Sequence, residues 1–255
     1  MKRVVLFIFF LLNISVFAQK NVAGFGIFVE PIIPLKMFRI SSSEIYREGA
    51  IFTSKPLSGY TLGTHVMVGI SPYFSLETGI NYVSRDFKIS MLDGDFEEGF
   101  YINADNFEIP FTVTYNIRLL DKLYMGHSLG VSLQLIPSNL YKRHSERDQQ
   151  GVLQYSFEHM SFRKAPIYPT FKGGFGFEYR TKEHGYFYIG PVYHLFSEMY
   201  VTKLSYYHKE RNRSINNLDI KTVGDYFGIQ IRYTITPKEF KRSKIGLPDY
   251  SDFFD

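Results

Sequence analysis

One stretch of the chain, Phe107 to Ile117, alternates apolar and polar residues without a break. It reads FEIPFTVTYNI, with Phe, Ile, Val and Tyr at the odd positions and Glu, Pro, Thr and Asn at the even ones. Because successive side chains of a β-strand point to opposite faces, this pattern predicts a strand with one apolar and one polar face. Proline donates no ladder hydrogen bond, so at Pro110 we expect a bulge or a missing hydrogen bond toward one of the two neighbouring strands.

Seven other stretches alternate as well, most weakly at 185–196 where both faces hold aromatic residues, and the sequence therefore predicts eight strands. Aromatic residues make up 18% of the chain, and their fit to a pleated surface also favours an all-β fold over a helical one. The predicted strands cover residues 21–33, 57–70, 74–85, 107–117, 123–135, 167–180, 185–196 and 225–235.

The connections between these strands alternate between long and short. The long ones cover residues 34–56, 88–104, 137–166 and 197–223, and the short ones cover residues 71–73, 120–121 and 182–184. In an up-and-down barrel successive connections lie at opposite ends, so all the long connections would share one end. The sequence predicts a single eight-stranded antiparallel up-and-down transmembrane β-barrel with short periplasmic turns, long external loops and both mature termini in the periplasm.

The N-terminal segment has the organisation of a secretory signal peptide. Lys2 and Arg3 precede an apolar run from Val4 to Val16, and Ala18 stands at the expected cleavage position. A transmembrane anchor is the alternative, but the run is shorter than the roughly 20 residues that a spanning helix needs. We expect a signal peptide at 1–18, an outer-membrane barrel at 19–237 and a basic periplasmic tail at 238–255, which contains Lys238, Lys241, Arg242 and Lys244.

Alternation alone leaves open which face of the barrel is inside. A soluble barrel around a ligand would turn its apolar faces inward and expose polar faces rich in Lys, Glu and Asn. Here the polar faces hold mainly Gly, Ser and Thr with isolated charges, which suits a narrow interior and favours the membrane barrel. Aromatic residues also stand near the strand ends of the apolar faces, as interfacial girdles require. They are Tyr60, Phe74, Tyr82, Phe107, Tyr115, Tyr179, Phe187 and Tyr233.

Isolated charged residues on the polar faces are expected to lie inside the barrel. Counted from the short turns, Glu77, Glu178 and Arg232 lie at one low height. An ion removed from water is tolerated when it is paired and hydrogen-bonded, so we predict two charged tiers across the interior. An eight-stranded interior is just wide enough for side chains, which favours a plugged barrel over a channel. The higher tier would consist of Arg85, Glu108 and Lys172 together with Glu30, with Glu108 near Arg85 or Lys172.

Three features go beyond the general alternation. A leader is followed at once by the first strand, FEIP opens a middle strand at 107–110, and Gly-x-Gly-x-Glu-Tyr covers 174–179. With these features the chain resembles the outer-membrane β-barrel families of Bacteroidetes-type bacteria, the porin family or PorT-like barrels. The resemblance implies an outer-membrane location and a place in a secretion or assembly apparatus. The last strand also looks like the signal that barrel-assembly machinery reads, through Tyr226, Gly228, Ile231 and Tyr233.

No group of residues supports a reaction, so we expect a protein that is not an enzyme and needs no cofactor or metal. Barrel lipases and lipid-A deacylases need a serine, a histidine and an acid on one face, whereas the adjacent His127 and Ser128 point to opposite sides of the wall. Cysteine is absent, which removes thiol nucleophiles and Cys-ligated metals. The net charge of +4, or +2 without the leader (27 basic and 25 acidic residues), indicates no nucleic-acid partner.

The sequence thus predicts a non-enzymatic outer-membrane barrel with a structural or interaction role through its external loops. The expected partners are outer-membrane lipid and lipopolysaccharide, barrel-assembly machinery and an unidentified protein. Basic runs at Tyr141–Arg147 and His208–Arg213 lie in external loops, where they would meet lipopolysaccharide phosphates or a partner. Two alternatives stay open, a narrow channel for ions or small solutes and a lipid-modifying enzyme.

Overall fold

The computed structural model describes residues 22–34, 43–71, 73–181, 184–196 and 198–235. The expected signal peptide at 1–18 and basic tail at 238–255 lie outside the described residues. Within the described part, thirteen antiparallel strands and no helix long enough to cross a bilayer are found, which confirms the all-β prediction. The strands are β1 Val22–Ile33, β2 Ser43–Arg47, β3 Ala50–Gly69, β4 Phe74–Asp93, β5 Phe96–Arg118, β6 Leu123–Leu135, β7 Leu140–Arg147, β8 Leu153–Arg163, β9 Ile167–Arg180, β10 Tyr186–Leu195, β11 Glu198–His208, β12 Arg213–Val223 and β13 Tyr226–Ile235.

Eight of these strands form a continuous ring of antiparallel pairings. β1 closes the ring because it pairs with β13 on one side and with β3 on the other. The order around the ring is β1, β13, β10, β9, β6, β5, β4 and β3, and β2 pairs with the part of β3 that lies beyond β1. Each predicted strand corresponds to one ring strand, and the bounds of β6 and β9 agree with the prediction at both ends.

The predicted long loops are wrong, because those segments fold largely as strands. β4 continues to Asp93 and β5 begins at Phe96, so a tight hairpin replaces most of the loop expected at 88–104. The other three segments contain β2, then β7 and β8, then β11 and β12. A count of eight strands is therefore too low for the chain as a whole.

The added strands build a second structural unit beyond the ring. β7, β8, β11 and β12 form a four-stranded sheet in the order β12-β11-β8-β7. This sheet packs on residues 43–56 and 86–105, and we call these two layers together the head. Aromatic side chains fill the space between the layers. Phe100 stacks on Phe157 with ring centroids 4.9 Å apart, and Phe52 meets Tyr206 edge-on at 6.3 Å.

The apolar side of the strands changes where the ring meets the head. The even-numbered residues of β5 are the more buried ones along its whole length. In the head these inward residues are apolar, as at Phe100 and Ile102, whereas in the ring they are polar, as at Glu108 and Thr112. The outward residues change in the opposite sense, so Phe107 begins an exposed apolar face. The apolar face of β3, β4 and β5 therefore stops at this boundary, and the strands predicted from that face are shorter than the observed ones.

Prolines in the ring strands lose pairing on one side only. Pro110 keeps its place in the ladder with β6, whereas the ladder with β4 has no pairs between those of Phe111 and Glu108. The register is the same on both sides of this gap, so the strand has a local loss of pairing and no bulge. Pro31 and Pro191 stand beside similar gaps, in the ladders of β1 with β13 and of β10 with β9.

Candidate functional site: a charged network inside the ring

Three charged residues meet in the interior of the ring near the short turns. Nη1 of Arg232 on β13 pairs with Glu77 on β4, and its Nη2 lies 3.2 Å from Oε2 of Glu178 on β9. These strands are not neighbours in the ring, so the ion pairs cross the interior. The hydroxyl of Thr114 also donates to Glu77 at 3.1 Å. The structure therefore brings together the three residues that were predicted to share the low tier.

Aromatic rings surround the cations at this level. The guanidinium of Arg232 lies 4.6 Å from the ring centroid of Tyr188. Arg180, whose Nε lies 2.7 Å from Oε1 of Glu178, is 4.0 Å from the ring of Tyr124 and 5.1 Å from that of Tyr186. Rings and ion pairs together fill the turn end of the interior.

A second cluster lies farther from the short turns. Nζ of Lys172 is 3.5 Å from Oε1 of Glu108, which also accepts a hydrogen bond from Ser132 at 2.7 Å. His194 stands between two carboxylates, with Nε2 3.0 Å from Oε1 of Glu30 and Nδ1 4.0 Å from Oε2 of Glu108. Glu30, Glu108 and His194 are each 2% exposed or less. Each buried carboxylate thus faces a basic group from a strand that is not its neighbour.

Sequence reasoning missed His194. β10 carries aromatic residues on both faces, so its alternation did not indicate which face is inward. The ladder between β9 and β10 supplies the signal that was lacking, because it places His194 opposite Lys172. A histidine at the height of a predicted interior lysine belongs to the same tier.

Arg85 does not join this cluster, contrary to the prediction. Its Nη1 donates to the carbonyl oxygen of Gly224 at 2.6 Å, and its Nη2 donates to Asn106 at 3.2 Å. The guanidinium lies over the rings of Phe196 and Tyr226, at 4.3 Å and 5.2 Å from their centroids. Arg85 stands next to a register shift between β3 and β4, at the boundary with the head. Counting from the distant turn could not foresee that shift or the direction of the long side chain.

The upper cluster has unused hydrogen-bonding capacity. Oε1 of Glu30, Oε2 of Glu108 and both ring nitrogens of His194 are buried without a hydrogen-bond partner among the described residues. Nε2 of His194 is within hydrogen-bonding distance of Glu30 but is not aligned with it, and Nδ1 is too far from Glu108 for a hydrogen bond. Buried polar groups in native proteins are normally satisfied, so these atoms are among the interior positions suited to ordered water.

The four residues of the expected assembly signal divide between the two faces of β13. Tyr226 points into the interior enclosed by the eight strands, where its side chain stacks on the imidazole of His194 with centroids 4.2 Å apart. Gly228 packs against Glu30, and a Cβ added there would lie 2.6 Å from the carboxylate carbon. Ile231 is exposed on the outer wall, and Tyr233 packs beside Phe187 with ring centroids 4.8 Å apart.

His127 and Ser128 point to opposite sides of the ring wall, as the sequence predicted. His127 is exposed on the outer wall, while Ser128 donates to the carbonyl oxygen of Gly174 at 3.3 Å. Nε2 of His65 lies 2.8 Å from the hydroxyl of Thr234. Within the described ranges, no three His, Cys, Asp or Glu side chains are arranged to hold a metal ion.

Exposed aromatic side chains form two belts on the outer wall. One belt runs through Tyr60, Tyr82 and Phe107, with neighbouring ring centroids 6.3 Å and 5.8 Å apart. The other belt, near the short turns, contains Phe74 and Tyr115 at 4.9 Å. Along both β4 and β5, the residues of the two belts are eight positions apart. Apolar residues such as Ile80 and Phe111 fill the wall between the belts.

No family model and no curated protein matches the chain. Among solved structures, it is similar to the outer membrane protein OprG from Pseudomonas aeruginosa, with 15% identity, a TM-score of 0.47 and coverage of 84% of this chain and 96% of that one. The beta domain of the Bordetella autotransporter BrkA gives 10% identity, a TM-score of 0.27 and coverage of 84% and 99%. OmpT, an outer membrane protein of Vibrio cholerae, gives 10% identity, a TM-score of 0.15 and coverage of 84% of this chain and 97% of that one. Similarities at this level carry no information about activity or partners.

Proposed function

We propose that the ring is an eight-stranded β-barrel that spans an outer membrane and serves, without catalysis, as a structural or interaction protein. The change of apolar side between ring and head is the observation that carries this proposal. A protein surrounded only by water buries most apolar residues along the whole of a strand. β5 instead buries Phe100 at 8% exposure and exposes Phe111 at 51%. A bilayer around the ring and water around the head account for both halves of the strand.

The two aromatic belts support the same placement. Eight residues at about 3.3 Å each, on a strand tilted by about 40°, span about 20 Å along the barrel axis. The apolar band of outer-membrane barrels is roughly 25 Å tall and is bounded by aromatic girdles. In this arrangement the head lies outside the cell, and the short turns and both ends of the mature chain lie in the periplasm.

The interior supports a closed barrel. Arg232 and His194 each contact carboxylates from strands on other sides of the ring. Arg85 with the rings of Phe196 and Tyr226 lies across the end nearest the head. Side chains therefore occupy the interior at three heights, which leaves the head as the part available for function.

The head is the proposed interaction surface, and its partners are lipopolysaccharide or another protein. The resemblance of the sequence motifs to Bacteroidetes-type porin-family and PorT-like barrels makes membership in a secretion or assembly apparatus a specific version of this proposal. Barrel-assembly machinery would recognise the last strand through Tyr226, Gly228, Ile231 and Tyr233.

Refolding into lipid vesicles tests the membrane placement. The chain without residues 1–18, diluted from urea, should acquire β-structure only when lipid or detergent is present, and its electrophoretic mobility should depend on heating. Protease added outside the vesicles should leave the ring strands intact. A chain that folds to a soluble species in plain buffer would overturn the proposal.

A narrow channel is the second candidate, and the unpartnered polar atoms around His194 favour it. The closed barrel predicts planar-bilayer recordings without reproducible single-channel steps. Steps that disappear when Lys172 or Arg85 is neutralised, as in Lys172→Met, would establish the channel instead. A lipid-modifying activity has no supporting group among the described residues.

A further inference from the structure

At the boundary between the ring and the head, one half of the wall is continuous and the other half is interrupted. β4 and β5 cross the boundary as single strands. The opposite half breaks between β10 and β11, where Phe196 lies, and between β12 and β13, where Gly224 lies. Arg85 on β4 donates to the carbonyl oxygen of Gly224 at 2.6 Å, and its guanidinium lies 4.3 Å from the ring centroid of Phe196. One side chain from the continuous half therefore contacts both breaks.

Arg85 differs from the other interior cations in what its release would leave behind. Removing Arg232 would leave the carboxylate of Glu77 without a cation. Arg85 is 3% exposed, but no carboxylate of the described residues forms an ion pair with it. Its hydrogen-bond acceptors are two neutral oxygens, from Gly224 and Asn106, and its Nε has no hydrogen-bond partner among those residues. Displacing Arg85 would thus leave no buried carboxylate unpaired.

Arg85 also lines a narrow cleft in the wall, beside the register shift between β3 and β4. Pro56 and the connection 224–226 belong to the lining of the same cleft. Tyr226 stacks on His194 with centroids 4.2 Å apart, so the upper cluster lies directly behind this lining. The Arg85 side chain, whose guanidinium is 5.2 Å from the ring centroid of Tyr226, therefore lies between the cleft and the polar interior.

We propose that Arg85 is a latch that separates this cleft from the interior, and that its release admits water and small solutes to the polar cluster around His194. The strands β11 and β12 of the head join the ring through the two breaks that Arg85 contacts. A movement of the head sheet, as on binding a partner, would therefore act directly on the latch. The inference goes beyond the proposed function, because it requires the eight-stranded ring but no bilayer around it.

The absence of cysteine from the chain lets single introduced thiols report on access to the interior. The probe is Thr61→Cys, at a 1% exposed position of β3 opposite Glu30. A small water-soluble methanethiosulfonate reagent is added to the detergent-solubilised protein, and mass spectrometry follows the labelling. We expect Thr61→Cys to react at least about a hundredfold more slowly than Leu92→Cys, at an exposed position of the head.

Matched variants test the latch itself. Arg85→Ala should speed the labelling of Thr61→Cys at least about tenfold, because it removes every contact of the guanidinium with the two breaks. Arg47→Met, which alters an exposed cation of the head, should leave the rate unchanged. A second probe, Ser75→Cys, lies at a 4% exposed position near the short turns, and Arg85→Ala should not alter its rate.

Three results would each overturn the latch. They are fast labelling of Thr61→Cys in the otherwise wild-type chain, no acceleration by Arg85→Ala, and equal acceleration at Ser75→Cys, which would mean general loosening. If Arg85→Ala loses the heat-dependent mobility of the folded chain, Arg85→Lys decides, because lysine keeps the charge but lacks the planar fork that bonds to Gly224 and Asn106 together. It should speed the labelling at least about threefold, and an unchanged rate refutes the latch. Failure of the chain to insert into vesicles would refute the membrane placement and leave these rates as they are.

Discussion

Arg232 and Glu77 form an ion pair across the interior of the ring, from β13 to β4. β1 and β3 separate these two strands in the ring, so the pair joins opposite parts of the wall. Glu178 approaches the same guanidinium from a third strand at 3.2 Å. One buried cation therefore holds a buried carboxylate, Glu178, and a largely buried one, Glu77, and the stability of the closed interior depends on it.

Replacing Arg232 by methionine should destabilise the protein strongly. Methionine retains much of the side-chain volume but leaves Glu77 without its cation and leaves the buried Glu178 with Arg180 alone. Removing one partner of a buried ion pair typically costs 3–5 kcal/mol, so we expect a loss of about that size in the free energy of unfolding. Urea titration of the vesicle-inserted protein, followed by circular dichroism, measures it.

Two further variants control this experiment. Arg47→Met removes a cation that is 63% exposed in the head, and a change of less than about 0.5 kcal/mol is expected. The triple variant with Arg232→Met, Glu77→Gln and Glu178→Gln removes the uncompensated charges and should recover most of the stability. A triple variant as unstable as Arg232→Met would show that the cost comes from lost packing.

A charge on the outer wall should block insertion. Leu129 is 72% exposed and lies between the two aromatic belts, on β6 opposite Val113. Arginine near the middle of the lipid-facing band costs about 2–4 kcal/mol. Leu129→Arg should therefore lower the free energy of unfolding of the vesicle-inserted protein by that amount. Leu92→Arg, at a 40% exposed position of the head, should change it by less than about 0.5 kcal/mol. Equal effects of the two variants would contradict a bilayer around the ring.

The sequence predicted the ring well because one rule governs it. Alternation with an apolar outer face locates the ring strands, most weakly β10 with aromatic residues on both faces, and residues on the polar side such as Glu108 point inward. The head follows the opposite rule, with apolar residues inside. β7 in addition has both faces exposed, so its sequence shows little alternation. Long-range pairing supplied what local pattern could not, since the position of His194 follows from its place opposite Lys172.

Acid should weaken the head through His159. This histidine is 1% exposed, lies beside Phe100 with ring centroids 5.2 Å apart, and has neither ring nitrogen bonded among the described residues. Burial, and secondarily the charge of Lys142, lowers its pKa to about 4 from 6.5. Between pH 6.5 and 4 the unfolded chain binds more protons than the folded one, so the free energy of unfolding falls as the pH falls through this range.

The measurement compares wild type with His159→Leu in urea titrations at pH 7.5 and pH 5. The wild type should lose about 1–2 kcal/mol more than the variant over that interval. Val152→Leu, at an exposed position without a titratable group in the turn between β7 and β8, should keep the wild-type pH dependence. A pH dependence unchanged in His159→Leu would assign the effect to other groups.

Gly228 connects the interior network with the expected assembly signal, and one substitution separates the two roles. A Cβ at this position would lie 2.6 Å from the carboxylate carbon of Glu30, a side chain that is 1% exposed and holds its place beside His194. Overpacking of this kind costs about 1–3 kcal/mol, so Gly228→Ala should lower the free energy of unfolding in vesicles by that amount. Gly173→Ala, where the nearest atom is 3.7 Å away, should change it by less than about 0.5 kcal/mol.

The purified protein refolds without assembly machinery, so this measurement reports packing alone. If Gly228 serves only as part of a recognition signal, Gly228→Ala should refold in vitro with wild-type stability and fail only in cells. If the contact with Glu30 determines the requirement for glycine, the loss appears in vitro, and Glu30→Gln should not relieve it, because the amide has the same shape as the carboxylate. Relief in the double variant Gly228→Ala with Glu30→Ala, which removes the crowded atoms, would identify the steric contact as the cause.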